Sequence, residues 1–169
     1  MNTLKSNVEI RTAIFEDITT IQEIAQQTWP STYGRIISKS QIEYMLELMY
    51  SNETLEEQWF HGHSFLMAEV AEKPIGYASF RVIEGKVYKL DKLYVLPEAQ
   101  KLNAGKKLLQ EVVTRIVAVG GTELQLQVNR KNKAVTFYEK MGFEILRQED
   151  FHFGDGYYMN DYIMSLKLQ

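Results

Sequence analysis

The stretch PEAQKLNAGKKLLQEVV, Pro97–Val113, joins the end of an apolar strand to the start of a helix. The entrance of this helix consists of small residues and lysines rather than of a clear side-chain cap. An α-helix leaves the N–H groups of its first turn free and carries a partial positive charge there. Small residues would let an anion reach these N–H groups, and Lys101, Lys106 and Lys107 would attract it. The stretch therefore predicts a phosphate-binding helix entrance, with lysines on a solvated helix face as the alternative.

The charge distribution sets this part of the chain apart from the rest. Residues 100–140 carry 8 Lys/Arg against 3 Asp/Glu, a net +5, whereas the whole chain of 169 residues has a net charge of −3. The basic block is short and the isoelectric point is about 5.7, which disfavours nucleic acid as a partner. The stretch is also not a phosphate loop of the GxxxxGK[ST] or GxGxxG type.

The composition indicates one globular domain that spans residues 1–169, with 45% hydrophobic and 24% charged residues. The absence of cysteine excludes disulfides, zinc–thiolate sites and a cysteine nucleophile. His61 and His63 lack a partner motif, so we interpret them as a surface turn and expect no metal. The sequence has no apolar run of membrane length and no signal-like start. We therefore expect a cytoplasmic protein without a membrane partner.

Apolar periodicity outward from the opening stretch predicts a mixed α/β sheet with helices on its faces. The expected order is strand, helices, three strands, helix, strand, helix and two strands. Pro30 and Gly34 are expected to break the first helix, and Asn52 is a candidate cap for a later one. The strand at about Val87–Leu96 changes the phase of its apolar residues at its midpoint. Either a β-bulge or burial on both faces explains this change.

Two blocks of the sequence have the spacing of a known family. The segment LYVLPEAQKLNAG has Gln100 and Gly105 at the outer positions of a loop of the form [Q/R]-x-x-G-x-[G/A]. The segment QVNRKNKAVTFYEKMGFEI has Asn129, Asn132 and Tyr138 in a strand–loop–helix–strand block. Together the two blocks resemble the GNAT superfamily of acyl-CoA-dependent N-acetyltransferases.

The resemblance departs at Asn103, which occupies the inner glycine position of the loop. Asparagine tolerates a left-handed backbone, so the loop can keep its shape. The resemblance implies a mixed, mostly antiparallel central sheet of about seven strands, with helices on both faces and a β-bulge splay in the central strand. It also implies acetyl-CoA as the acetyl donor, bound by the following residues: Leu93, Tyr94, Val95, Gln100, Lys101, Leu102, Asn103, Ala104, Gly105, Lys106, Asn129, Asn132 and Tyr138.

The chemistry of amine acetylation suggests which residues are catalytic. An alkylammonium with a pKa near 10.4 is only about one part in a thousand neutral near pH 7.4, so the site has to remove a proton. Asp91, beside the phase change, is the candidate base, with a solvated strand carboxylate as the alternative. Tyr138 matches the family's tyrosine that donates to the sulfur of coenzyme A, with a core aromatic as the alternative. The resemblance also suggests four aromatic residues for the acceptor pocket, each with ordinary packing as the alternative: Trp29, Tyr33, Tyr157 and Tyr158.

The expected function is transfer of an acetyl group from acetyl-CoA to a primary amine by direct attack in a ternary complex. Within the superfamily, TWPSTYG and the closing GDGYYMNDYIMSLKL are similar to the bacterial spermidine/spermine acetyltransferase branch. A polyamine is therefore the first choice of acceptor. A protein N-terminus or lysine, or a non-catalytic acyl-CoA-binding domain, are the alternatives. The expected partner is a small amine, with a homodimer as an option.

Overall fold

The computed structural model describes residues 7–168, and the order of elements in this range is the expected one. The strands are β1 (Val8–Thr12), β2 (Ser64–Val70), β3 (Lys73–Glu84), β4 (Val87–Val95), β5 (Glu123–Asn129), β6 (Glu144–His152) and β7 (Tyr158–Lys167). The helices are α1 (Ile18–Tyr33), α2 (Lys39–Tyr50), α3 (Asn52–Phe60), α4 (Ala104–Ala118) and α5 (Ala134–Lys140), and 3-10 turns at Phe15–Asp17 and Pro97–Leu102 precede α1 and α4. Within this range no helix is long and apolar enough to cross a membrane. The expected domain 1–169 includes residues 1–6 and Gln169, which lie outside the described residues. The expectation that the chain starts without a signal sequence also concerns residues 1–6.

The strands form a seven-stranded sheet in the order β1-β2-β3-β4-β5-β7-β6. Neighbouring strands are antiparallel except β4 and β5, which run parallel. Pairing of β4 with β5 is limited to Val87–Leu90 opposite Glu123–Leu126. Beyond Leu90 the two strands separate and open a splay at the centre of the sheet. The predicted mixed, mostly antiparallel sheet is confirmed.

A β-bulge in β4 causes the change of apolar phase. Ser79 of β3 pairs with Lys92, whereas the next residue, Phe80, pairs with Leu90, so Asp91 is the extra residue of β4. One extra residue moves every later side chain of a strand to the opposite face. The bulge therefore accounts for the phase change, and it lies where β4 parts from β5.

Two hydrophobic cores cover the two faces of the sheet. The core beneath α4 and α5 includes Leu108, Val112 and Tyr138. The core beneath α1, α2 and α3 includes Trp29 and Met45. Because the splay lies between the two cores, residues from both faces of the sheet can reach it.

Helix α1 differs from the prediction because it continues through Pro30 and ends at Tyr33. Trp29 and Tyr33 are 1% and 6% exposed, and their ring centroids are 4.5 Å apart, so the last turn is anchored in the core. The N–H of Gly34 donates to the carbonyl of Pro30 (2.9 Å) just beyond the helix. Burial of two large aromatic side chains thus outweighs the local cost of a proline.

The cap of helix α3 also differs from the prediction. The hydroxyl of Ser51 accepts from the N–H of Thr54 (3.2 Å), and Ser51 is therefore the capping residue. Asn52 is the first residue of the helix, and its side-chain oxygen accepts instead from Nε2 of Gln22 (2.8 Å).

Candidate active site

A cavity of about 880 Å³ passes through the splay, from the start of α4 to the last turn of α1. Its wall includes these residues singled out in the sequence: Tyr33, Asp91, Leu93, Tyr94, Val95, Gln100, Asn103, Gly105, Lys106, Asn132 and Tyr138. The other candidates lie off the wall: Trp29, Lys101, Leu102, Ala104, Asn129, Tyr157 and Tyr158. The structure therefore brings most of the candidate residues to one cavity.

The entrance of α4 has the geometry of an anion site. Asn103 adopts the left-handed backbone expected for this loop position, with φ 61° and ψ 23°. The N–H of Lys107 donates to the carbonyl of Asn103 (3.0 Å), and those of Ala104, Gly105 and Lys106 precede it in the first turn. Such N–H groups have no acceptor within an α-helix, and the partial positive charge lies at the same end. A phosphate group fits both features.

Gly105 leaves open space at the entrance of α4, because no other protein atom lies too close to the position of a side chain there. A Cβ added at Gly105 would lie 3.9 Å from Cζ of Phe137 and 4.0 Å from Cγ2 of Val95, which are ordinary contacts. Internal packing therefore does not require a glycine, and the open space can admit a ligand. Lys101 is exposed, and Ala104 is fully buried. Lys101 can thus act through its charge, and Ala104 through its N–H group.

The separated half of β4 presents a strand edge to the cavity. Leu93–Val95 pair with Gly76–Ala78 of β3 along one edge, whereas β5 has left the other edge. Nε2 of Gln100 donates to the carbonyl of Val95 (3.3 Å) and joins the following 3-10 turn to the strand end. An extended ligand segment can form hydrogen bonds with a free edge of this kind.

Asn129 and Asn132 shape the turn between β5 and α5. The side-chain oxygen of Asn129 accepts from the N–H of Lys131 (3.0 Å), and that of Asn132 accepts from the N–H of Ala134 (2.9 Å). Side-chain bonds of this type fix turns and helix starts. The two asparagines therefore fix the start of the helix that carries Tyr138.

Tyr138 enters the wall from the face of the sheet that α4 and α5 cover. Its side chain is 7% exposed, and its ring centroid lies 5.2 Å from that of Phe137 and 5.5 Å from that of Phe143. Burial, with a smaller contribution from Tyr33, raises the pKa of Tyr138 well above its usual value. The hydroxyl therefore stays protonated near neutral pH and can act as a donor.

Tyr33 enters the wall from the opposite face, at the end of α1. Its hydroxyl lies 2.9 Å from that of Tyr94, and burial raises the pKa of Tyr33 to about 12. Trp29 packs in the core against Tyr33 and Tyr94, with ring centroids 4.5 Å and 5.9 Å away, and can influence the cavity by holding these two rings. Tyr157 directly precedes β7 and Tyr158 is its first residue, and neither belongs to the wall.

Asp91 lies on the wall and is surrounded by basic groups. Its Oδ2 is 3.0 Å from Nε of Arg81 and 3.5 Å from Nδ1 of His63, and its Oδ1 is 3.8 Å from Nζ of Lys89. These contacts connect the bulge to β3 and to the segment before β2. Catalysis by Asp91 stays a prediction, and any such role has to act from within this cluster.

Asp161 is a buried carboxyl group that the sequence interpretation did not identify. It is 6% exposed and lies on β7 directly opposite Asn129 of β5. Burial raises the pKa of Asp161 to about 6. A signal was present in the sequence, since Asp161 lies in the same alternating phase of β7 as the apolar residues Met159 and Ile163, and all three are buried. The face that this phase occupies depends on the register of the strand.

Lys131 and Lys133 also belong to the cavity wall and were not singled out. Both are exposed in the turn before α5, and they add positive charge to that of Lys106. The charge count over residues 100–140 includes them, but it does not distinguish wall residues from solvated ones. Within residues 7–168 there is no group of three or more His, Cys, Asp or Glu side chains that could hold a metal ion.

Comparisons with known proteins agree with this geometry. The family model of the acetyltransferase (GNAT) domain matches residues 35–165. The spermidine N(1)-acetyltransferase of Thermoplasma acidophilum is 33% identical over 169 residues, which cover 96% of this chain and 99% of that protein. The uncharacterized N-acetyltransferase YuaI of Bacillus subtilis is 28% identical over 151 residues, with 85% and 84% covered. The crystal structure of PaiA N-acetyltransferase from T. acidophilum in complex with coenzyme A has a TM-score of 0.81 and 32% identity, over 95% of this chain and 99% of that one.

Proposed function

This chain belongs to the GNAT family of acetyltransferases and uses acetyl-CoA as its acetyl donor, and from that premise we propose that its acceptor is a primary amine of a polyamine such as spermidine or spermine. The observation that carries the proposal is the similarity, over nearly the whole chain, to a spermidine N(1)-acetyltransferase. The segments TWPSTYG and GDGYYMNDYIMSLKL support the same branch of the family.

Acetyl-CoA supplies an activated acetyl group, and we assign its binding to the residues of the splay. The N–H groups of Ala104–Lys106 suit the pyrophosphate, and Lys131 and Lys133 add positive charge nearby. The free edge of β4 at Leu93–Val95 suits the extended pantetheine arm. Two observations support this fit, the open space at Gly105 and a strand edge that β5 has left.

We assign Tyr138 the transfer of a proton to the departing sulfur. Its hydroxyl is protonated and belongs to a residue of the cavity wall, which supports this role. We further propose that the acetyl group passes directly to the amine in a ternary complex. The chain has no cysteine that could carry the group as a thioester, and the cavity reaches both faces of the sheet.

Other acceptors and roles make different predictions. A non-catalytic acyl-CoA-binding domain drew its support from Asn103, and the left-handed backbone of Asn103 removes that support because the loop keeps its shape. A protein N-terminus or lysine is the remaining alternative acceptor. It differs from a polyamine in presenting its reacting ammonium group on a macromolecule rather than on a small polycation.

The experiment that tests a polyamine as the acceptor measures initial rates of thiol release from acetyl-CoA. Spermidine and spermine should react faster than a neutral aromatic amine of similar size, and the preference should shrink at high salt because attraction of a polycation is screened. Equal rates for the neutral amine at all salt concentrations would remove polyamines as the substrate class.

A homodimer and a cytoplasmic location are further parts of the proposal. Light scattering of the purified protein gives the mass in solution and checks the first. Fractionation of cells that produce the protein checks the second.

A further inference from the structure

Asp161 differs from the other buried carboxylates of residues 7–168 in having a buried carboxylate oxygen without a hydrogen-bond partner. Within residues 7–168 the buried acidic residues are Asp17, Glu123 and Asp161. Asp17 bonds to Arg11, and Glu123 bonds to Lys167 and Gln125. In the same range, Oδ1 of Asp161 is shielded from solvent and has no hydrogen-bond partner.

The basic side chains that act on Asp161 do not bond to its free oxygen. Nη1 of Arg130 donates to the backbone carbonyl of Asp161 (3.1 Å), and Nη2 donates to Oδ1 of Asp150 (2.8 Å). Nζ of Lys89 donates to Gln127 (3.0 Å). Both cations are close enough to stabilise the charge of Asp161 without bonding to its carboxylate.

Strand register positions Asp161 beside the splay. Asp161 pairs with Asn129, and the cavity wall includes the three β5 residues Leu126–Val128 that lead to it. In the alternation of β7, Asp161 shares a face with Met159, which packs in the core beneath α1 and α2. Tyr138 belongs to the core on the other face. Asp161 itself is not part of the cavity wall, but its charge acts on Tyr33, which is. The splay therefore has a proton donor on one side and, next to its wall on the other side, an unpartnered carboxylate.

An unpaired carboxylate in this environment is costly for the folded protein. Burial raises the pKa of Asp161 to about 6, while Arg130 and Lys89 lower it and Asp150 raises it. The carboxyl group is thus mostly ionised near pH 7.4, and its charge also helps to raise the pKa of the neighbouring Tyr33, although burial is the main cause there. Buried charges are ordinarily paired, and a cationic ligand would supply the missing partner.

We propose that Asp161 binds the ammonium group of the acceptor and takes up a proton from it, an inference that rests on the proposed amine acceptor. When an ammonium becomes an amide, its nitrogen loses two protons, forms one C–N bond and displaces one C–S bond. One proton goes to the departing thiolate, toward which Tyr138 donates. The other goes to the carboxylate of Asp161 and from there to water. The proton donor Tyr138 and the proton acceptor Asp161 then approach the splay from opposite faces of the sheet.

The test compares Asp161→Asn with Asp150→Asn, a matched change at an exposed carboxylate that also lies beside Arg130. Asp161→Asn should lower kcat/KM for spermidine by roughly a hundredfold or more and remove the acid limb of the pH profile near pH 6. Titration of spermidine into the protein saturated with coenzyme A should show at least a roughly tenfold loss of affinity. Acetyl-CoA affinity should be unchanged. Asp150→Asn should keep the wild-type kcat/KM and both affinities near pH 7.4, and should move the acid limb only slightly to lower pH, because the charge of Asp150 contributes to the raised pKa of Asp161.

A purely structural role for Asp161 predicts a different pattern. Because the change removes a buried, unpaired charge, Asp161→Asn should keep or raise the melting temperature above pH 6. A lower melting temperature with equal losses of acetyl-CoA and spermidine affinity would overturn the proposal, as would wild-type kcat/KM with an intact acid limb. If the wild type ignores spermidine and acetylates another cationic amine, the polyamine assignment fails. The same comparison with that amine then decides the role of Asp161.

Discussion

At the scale of single residues, we expect the acetyl-CoA site to be sensitive to side-chain size at Gly105. Gly105→Val should raise the dissociation constant of acetyl-CoA roughly tenfold to a hundredfold, since it would prevent at least one charge-assisted hydrogen bond to the first turn of α4. The fold should persist, because the space around Gly105 admits a Cβ at ordinary contact distances. Isothermal titration calorimetry measures the affinity.

Lys101→Ala is the matched control for this change. Lys101 is exposed, so its loss should weaken binding only about twofold to threefold, and less at high salt. Normal acetyl-CoA binding by folded Gly105→Val would show that the pyrophosphate lies elsewhere.

Tyr138→Phe removes one hydroxyl and keeps the ring that packs against Phe137 and Phe143. The turnover number should fall by roughly tenfold to a hundredfold, because a thiolate is a tolerable leaving group that a proton donor assists. Acetyl-CoA affinity and melting temperature should change little. Steady-state kinetics measures the turnover number. The control is Tyr158→Phe, the same change at an exposed tyrosine that is not part of the cavity wall. An unchanged turnover number where chemistry limits the rate would leave Tyr138 as a core aromatic.

At the scale of elements, helix α1 shows packing overriding a local signal. Pro30 lacks an N–H group and lies inside the helix, yet Trp29 and Tyr33 on either side of it are buried. Pro30→Ala should therefore raise the free energy of unfolding, by about 1–3 kcal/mol. Chemical denaturation measures this change. A lower stability of Pro30→Ala would mean that the proline stabilises this turn of α1.

The entrance of α4 and the bulge of β4 could be predicted because their signals are local. The run of small residues and lysines at the start of α4, with an asparagine at the loop position, predicts a left-handed backbone at Asn103, and the structure has it there. The phase change in β4 points to the extra residue Asp91, although the sequence alone left burial on both faces open. The continuation of α1 could not be predicted in this way, because the burial of Trp29 and Tyr33 depends on contacts with distant elements.

At the scale of the whole molecule, the sheet order explains why Asp161 was missed. The last strand, β7, lies between β5 and β6, so Asp161 faces Asn129 across a contact between distant parts of the chain. The strand itself can be read from the sequence, but its neighbours and its buried face cannot. We propose that residues 1–169 form one domain, since β1 and β7 belong to the same sheet.

Lys92 should make the stability of the whole molecule depend on pH. Its side chain is buried, Nζ donates to Gln58 (2.8 Å), and burial lowers the pKa from 10.5 to about 8. Between pH 8 and 10.5 the unfolded chain holds the proton that the folded protein has lost, so this residue's contribution to stability rises with pH. The difference between the two pKa values of Lys92 corresponds to about 3 kcal/mol. Below pH 8 the buried, charged Lys92 lowers the free energy of unfolding by this amount.

Denaturant unfolding of Lys92→Met at several pH values measures this contribution. The variant should be more stable than the wild type near pH 7, and the difference should shrink between pH 8 and 10.5. Lys86→Met, a change at an exposed lysine, is the control. The buried tyrosines make stability fall as pH rises, but this effect is the same in variant and wild type and cancels in the difference between their free energies of unfolding. A difference that stays constant with pH would show that Lys92 titrates normally in the folded protein.

The most direct measurement is mass spectrometry of the products from one mixture of acetyl-CoA, spermidine and a short peptide with a free N-terminus and a lysine. We expect N-acetylspermidine to form first and the peptide to stay unmodified while spermidine remains, because the acceptor is a small polycation. Acetylation of the peptide with spermidine left intact would contradict the assignment of a polyamine as the substrate.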